Sequence, residues 1–163
     1  MKNLESPRRF LGKLALSLIC VVALSLALLP GSRATAASAD SAISCQITYT
    51  IGTQWLWGPS QPGAGGFSTT LTIKNTGTTV INSWSVQFTF PDGQRIFQGF
   101  GANFSMSGAQ VTVTNLSFNG TINPGSTAIY NPGFNANWYG VNNAPASMTL
   151  NGTTCTLIVV RAS

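Results

Sequence analysis

The sequence predicts an all-β protein, a two-sheet antiparallel β-sandwich of about nine short strands, and three observations carry that prediction. Apolar and polar residues alternate with a period of two in several stretches, most clearly in Trp84-Ser-Val-Gln-Phe-Thr-Phe90. Turn-forming groups separate these stretches at near-even spacing: Asn75-Thr-Gly-Thr78, Pro91-Asp-Gly93, Asn123-Pro-Gly125 and Asn151-Gly152. No helical period of apolar residues occurs beyond the first forty. A closed barrel gives the same string, and at this point both architectures stand.

The N-terminal segment is organised differently. Lys2, Arg8, Arg9 and Lys13 precede an apolar run from Leu14 to Leu29, Pro30-Gly31 breaks it, and Ala34-Thr-Ala36 offers small residues at a cleavage spacing. This predicts a secretory signal peptide over residues 1–36, a short small and polar spacer over 37–44, and one domain over 45–163. An uncleaved anchor is the alternative, but a bilayer span needs roughly 20 apolar residues and the run is shorter. Both readings place the domain outside the cytoplasm. Cleavage leaves a secreted, extracellular protein with no membrane contact.

The formal charge of +5 belongs mostly to that leader. Beyond Ala36 only Lys74, Arg95 and Arg161 oppose Asp40 and Asp92. Phosphate backbones require clustered cations, so nucleic acid is excluded as a partner. Cys20 lies in the leader, which leaves Cys45 and Cys155. In an exported protein this pair reads as a disulfide joining the two ends of the domain, against the alternative of two separate buried thiols. Closing so long a loop stabilises by about 4–5 kcal/mol in the chain-entropy picture.

Taken in order, Cys45-Gln-Ile-Thr-Tyr-Thr-Ile51 alternates as a strand with its odd-numbered residues inward. Trp55 and Trp57 stand at the base of a Gly- and Pro-rich loop, Gly58 to Gly66, where regular structure is not expected. Phe67 to Asn75 alternates again, and Val80-Ile81 approaches the strand Trp84–Phe90. Pro91-Asp92-Gly93 is expected to reverse the chain, so Gln94 to Phe100 reads as the partner strand of Trp84–Phe90. Val111 to Thr114, Thr127 to Tyr130, Met148 to Leu150 and Cys155 to Val160 complete the set. Asn103, Asn115, Asn119 and Asn151 each open an N-x-S/T triplet, of consequence only in a glycosylating host.

The chemistry available is narrow. The chain has no histidine, and the domain holds a single carboxylate, Asp92, with Asp40 in the spacer. Glycosidase chemistry needs two carboxylates across the scissile bond, a serine triad needs its base, and a metal centre needs His or Glu ligands. No catalytic residue, metal or cofactor is therefore expected, and the protein is not read as an enzyme. Function has to come from a surface. Trp84 lies in a strict alternation and reads as core, whereas Trp55, Phe100 and Phe118 stand at Gly-rich strand ends or turns that commit them to no core. Several such rings on one face would form an apolar binding patch.

A longer series of elements carries a resemblance. Cys45 with Tyr49, Gln54-Trp55, Gly66-Phe67, Ile73-Lys-Asn75, Ser83-Trp84, Phe88-Thr-Phe90, Asp92-Gly-Gln94, Val111-Thr-Val113, Phe118-Asn-Gly120, Pro124-Gly125, Gly133-Phe-Asn135 and Leu150-Asn-Gly152 before Cys155 occur in one order. From Cys45 to Cys155 the chain resembles a family 2 carbohydrate-binding module, a β-sandwich of the cellulose-binding type. The resemblance implies a strip of exposed rings that stacks on sugar faces. Trp55 takes its first position, with Phe100 and Phe118 at two positions where the family uses tryptophan. Gln98 matches a residue that hydrogen-bonds sugar hydroxyls, with Asn135 as a second match, and Gly66 fits the cellulose-binding rather than the xylan-binding subfamily.

The partner so implied is an insoluble β-1,4-linked polysaccharide, cellulose first and chitin second, bound by a monomer. The chain departs from the family in four places. The loop from Leu56 to Gly65 is longer, which adds Trp57 to the candidates. Asn137-Trp138-Tyr139 is more aromatic, and for Trp138 ligand contact and loop packing both stand. Asn131-Pro132 is an insertion, and Thr156 to Ser163 continues past the family's end, to extend a strand or to meet a partner. The alternative functions are a secreted structural or adhesion sandwich that lost strong glycan affinity, or a module separated from a glycoside hydrolase.

Overall fold

The computed structural model describes residues 43–162, so the predicted signal peptide and most of the spacer lie outside the described residues. Ten strands form two five-stranded sheets. The first sheet contains β1 (Cys45–Leu56), β2 (Ala64–Asn75), β4 (Arg95–Phe100), β7 (Gly133–Tyr139) and β10 (Thr156–Arg161), in the order β10-β1-β2-β7-β4. The second contains β3 (Ser85–Thr89), β5 (Asn103–Ser107), β6 (Gln110–Thr114), β8 (Met148–Leu150) and β9 (Thr153–Thr154), in the order β5-β6-β3-β8-β9. Two open sheets make a sandwich and not a closed barrel.

The period-two pattern does what it predicts. Cys45, Ile47, Tyr49 and Ile51 of β1 are buried while the residues between them are not. Phe67, Leu71 and Ile73 from β2, Phe134 and Ala136 from β7, and Val86, Phe88, Val111, Val113, Met148 and Leu150 from the second sheet meet between the layers. Phe134 is the hub, its ring centroid 5.8–6.3 Å from those of Tyr49, Phe67, Phe88, Phe90 and Phe104. Edge-to-face and offset contacts of this kind stabilise beyond the area they bury. Trp84 is buried as expected, and its Nε1 donates to the Asn119 carbonyl at 2.8 Å.

Cys45 and Cys155 form the expected disulfide. Cys45 opens β1 and Cys155 immediately precedes β10, and the two strands run side by side in parallel, Gln46 opposite Thr156 and Ile51 opposite Arg161. Among the described residues this is the one parallel pairing, and it gives the apolar tail its place as an edge strand.

Several expectations are corrected. Gln94 to Phe100 does not pair with Trp84–Phe90: β4 pairs with β7 in the other sheet. The turn at Pro91-Asp92-Gly93 is real, but it carries the chain across the sandwich because Gln94 is locked at the corner. Gln94 is fully buried, its Nε2 donates to the Asn143 carbonyl at 2.9 Å and to Asn142 Oδ1 at 3.2 Å, and its Oε1 accepts from the Asp92 amide at 2.9 Å. A buried amide so satisfied holds the backbone to one course.

The Gly- and Pro-rich loop is shorter than expected. β1 continues to Leu56 past a register shift between Ile51 and Gln54, and β2 already begins at Ala64, because the glycines there pair in the ladder. Thr127 to Tyr130 is not a strand; Thr127 makes an isolated bridge to Lys74, and the Ala128 amide donates to the Ile73 carbonyl. β5, β7 and β9 were not expected. Of the four triplet asparagines, Asn119 is buried and its Nδ2 donates to the Gly101 carbonyl at 2.8 Å, so it cannot carry a glycan in the folded domain.

Candidate functional site

Strand pairing decides which candidate side chains share a face. Phe67, Phe134 and Ala136 point into the core, so their neighbours Gly66, Gly133, Asn135 and Asn137 belong to the outer face of the first sheet. Trp55 pairs with Gly66, Gln98 with Asn135, and Phe100 with Gly133. Trp55, Gln98, Phe100 and Asn135, predicted from well-separated parts of the chain, therefore lie on one surface.

Two glycines set the rings. A Cβ on Gly66 would collide with Cζ2, Cε2 and Nε1 of Trp55, and one on Gly133 with Cε2 and Cζ of Phe100. Each aromatic lies across the space that its cross-strand glycine leaves empty, an arrangement that also shields the glycine backbone. Trp55 is 37% exposed and Phe100 46%. From Asn137, level with Gly66, to Gly133 beneath Phe100 is four residues along β7, about 13 Å at the strand rise. The two rings are thus separate platforms on one surface, further apart than two neighbouring units of an extended sugar chain.

Between the rings the surface is polar. Asn135 Nδ2 donates to Gln98 Oε1 at 3.0 Å, which orients both amides and leaves the Asn135 carbonyl and the Gln98 amino group facing outward. The pair offers an acceptor and a donor to hydroxyls at a sugar rim. The Asn137 Oδ1 is occupied by the Arg95 amide at 2.9 Å, and its Nδ2 donates to the Tyr139 hydroxyl at 3.3 Å.

At one end, past Trp55, Trp57 meets Tyr139 edge to face, with centroids 6.2 Å apart and planes at 88°. At the other end, Phe118 projects from the turn between β6 and β7. The neighbouring Asn119 ties that turn to Gly101, immediately after Phe100, and Phe118 meets Tyr130 edge to face at 5.9 Å and 81°. Trp57 and Phe118 thus flank the central pair of rings. Trp138 does not join them. It alternates inward between Asn137 and Tyr139, packs against the core, and its Nε1 is buried.

Tyr130 and Tyr139 were missed by sequence reasoning. Tyr139 had a signal: Phe134, Ala136 and Trp138 alternate inward, so Asn135, Asn137 and Tyr139 face out together. Among the described residues no three His, Cys, Asp or Glu side chains converge to hold a metal ion. Burial between the sheets raises the Tyr49 phenol well above its ordinary value, but that group is core and faces no ligand.

Comparison with known proteins gives a consistent result. A family model described as a cellulose binding domain matches residues 45–155. Exoglucanase B of Cellulomonas fimi is 42% identical over 113 residues, which cover 69% of this chain and 9% of that protein. Chitinase C of Streptomyces lividans is 36% identical over 141 residues, 86% of this chain and 20% of that protein. The chain thus spans a small fraction of the curated relatives it matches. A GH20 exo-β-N-acetylglucosaminidase from Vibrio harveyi superposes with a TM-score of 0.52 at 15% identity, over 74% of this chain and 19% of that one, a likeness of fold alone.

Proposed function

The chain belongs to the cellulose-binding domain family, and on that premise we propose that the outer face of its first sheet binds a β-1,4-linked polysaccharide, cellulose in the first place and chitin in the second. The domain is a non-catalytic carbohydrate-binding module. The observation that carries the choice of face is the convergence of Trp55, Gln98, Asn135 and Phe100 on one sheet surface, with rings on either side of an oriented amide pair. A pyranose exposes axial C–H bonds on its faces and hydroxyls at its rim, so rings bury the faces while the amides satisfy the rim.

Trp55, Phe100 and Phe118 are the stacking residues in this reading, with Trp57 adding to the track beside Trp55. Gln98 and Asn135 supply the polar contacts. The protein acts as a secreted monomer after removal of residues 1–36, and it performs no chemistry on its ligand. The disulfide supports an extracellular setting, since such bonds persist in oxidising compartments. Incubating the purified protein with microcrystalline cellulose, chitin and xylan, and measuring depletion from the supernatant, tests the proposal. Retention by cellulose or chitin but not by xylan is the expected result. No depletion on any of them would overturn it.

A further inference from the structure

We propose that Tyr139 and Tyr130 are additional glycan-contacting residues, which wall the two ends of the outer face and add contacts to a separated polysaccharide chain that the plane of a crystal does not receive. The inference rests on the reading of that face as the binding surface. It adds two residues and a ligand form, the separated chain, to that reading.

The geometry points to this in three ways. Each tyrosine stands at nearly a right angle to a ring of the track, 88° between Tyr139 and Trp57 and 81° between Tyr130 and Phe118. Two perpendicular rings cannot both lie against one flat surface. Neither tyrosine is a hidden support, because Tyr139 is 52% exposed and Tyr130 69% exposed. Each pair is therefore an open corner, with one wall for a sugar face and another for its edge and substituents.

The second point is backbone strain. Tyr130 has φ of 57°, in the left-handed region that a bulky residue rarely adopts. Glycine or asparagine would sit there at less cost, so nothing in the local backbone asks for an exposed tyrosine. Strain of this kind persists at positions where the side chain is put to use.

The third is hydrogen-bonding capacity. The Tyr139 hydroxyl accepts from Asn137 Nδ2 at 3.3 Å, which fixes the oxygen and leaves its own proton to donate outward. Phe100 and Phe118 have no polar atom on their rings, and the Tyr130 hydroxyl supplies one at their end of the track.

The test compares three forms of one polymer, microcrystalline cellulose, amorphous cellulose and cellohexaose, with wild type, Trp55→Ala and the double variant Tyr130→Asn/Tyr139→Ala. Asparagine tolerates the left-handed conformation, and thermal unfolding checks that each variant is folded. The double variant should lose about tenfold on amorphous cellulose and on cellohexaose, the scale of one aromatic contact, yet stay within about twofold of wild type on microcrystalline cellulose. Trp55→Ala should lose binding on all three. Equal losses of the double variant on crystalline and amorphous forms would overturn the walled track, and so would no loss on any form while Trp55→Ala fails. If wild type binds none of the three and no chitin, it is the binding face itself that falls. A double variant that does not fold is replaced by Tyr139→Phe, which keeps the ring, loses only the hydroxyl and should weaken binding to amorphous cellulose and cellohexaose but not to microcrystalline cellulose; no weakening on either separated-chain form would overturn the proposal.

Discussion

The outer faces of the two sheets obey the same alternation and carry different residues. On the second sheet the outward set is Ser85, Gln87, Thr89, Asn103, Ser105, Ser107, Gln110, Thr112, Thr114 and Thr149, without a single ring. On the first it includes Trp55, Phe100 and Tyr139 with Gln98, Asn135 and Asn137 among them. The inward sets are alike, apolar and closely packed on both sides. The inward residues therefore specify the sandwich and say little about its use, whereas the outward residues add nothing to the core and distinguish the proposed binding surface from a solvated one. Hydroxyls and amides alone exchange water for sugar at small net gain, while rings add burial of apolar area.

The sharpest way to break this comparison is to remove the indole. Trp55→Ala should reduce adsorption to cellulose by about 30-fold, the effect of losing a tryptophan hot spot worth roughly 2 kcal/mol. Thr112→Ala, on the opposite face, should leave adsorption unchanged. Depletion isotherms of the two variants measure both. If Thr112→Ala weakens binding as much as Trp55→Ala, the faces have been assigned wrongly.

A second variant leaves every ring in place and moves one. Gly66→Val puts branched carbons where the Trp55 ring lies and must tilt it off the sheet, so adsorption should fall about tenfold, and thermal unfolding checks that the variant is still folded. Tryptophan fluorescence should report the displaced indole. Unchanged adsorption would mean that the ring's position over Gly66 is irrelevant to binding.

That glycine illustrates where the sequence was legible and where it was not. Trp84 to Phe90 and Cys45 to Ile51 announced their buried faces through strict alternation, and both are buried as expected. The turn at Pro91-Asp92-Gly93 was equally clear, yet a turn signal carries no information on which sheet the chain enters next. That choice depends on Gln94 meeting Asn142 and Asn143, some fifty residues on. β7 was hidden by its asparagines, although Phe134, Ala136 and Trp138 keep the period. Of the candidate site residues, Trp55, Phe100, Gln98 and Asn135 do share a surface. What fixes the two central rings, the empty space above Gly66 and Gly133, arises only when strands distant in sequence are paired. Tyr130 carried no signal, since its conformation is set by the turn that holds it.

Smaller effects sharpen the account of the first face. Gln98→Ala removes the acceptor that orients Asn135 and one group facing the ligand, so a two- to tenfold loss is expected from roughly 0.5–1.5 kcal/mol per hydrogen bond. Calorimetry with cellohexaose should show the loss mainly in the enthalpy. Phe100→Trp works in the other direction, since a larger ring over Gly133 covers more of a sugar face, and about two- to fivefold tighter adsorption is expected from about 0.5–1 kcal/mol of added burial. No gain would indicate that Phe100 does not stack on the ligand.

The smallest expected effect is that of pH. The protein has no histidine, and Asp92 sits at the corner between β3 and β4, off both outer faces. Neither face holds a group that changes charge between about pH 5 and pH 9, so adsorption should vary by less than about twofold across that window. The limit comes from the core. Burial raises the Tyr49 phenol above its unfolded value of about 10. The folded state therefore keeps a proton that the unfolded chain releases: the stability from keeping Tyr49 neutral is fully present below about pH 10 and is lost as pH rises beyond it. Unfolding midpoints measured from pH 8 upward should hold level and then fall, and Tyr49→Phe should flatten that fall. Between about pH 5 and pH 9 binding should therefore stay level, and the fall in stability at higher pH traces to a group that lies between the sheets.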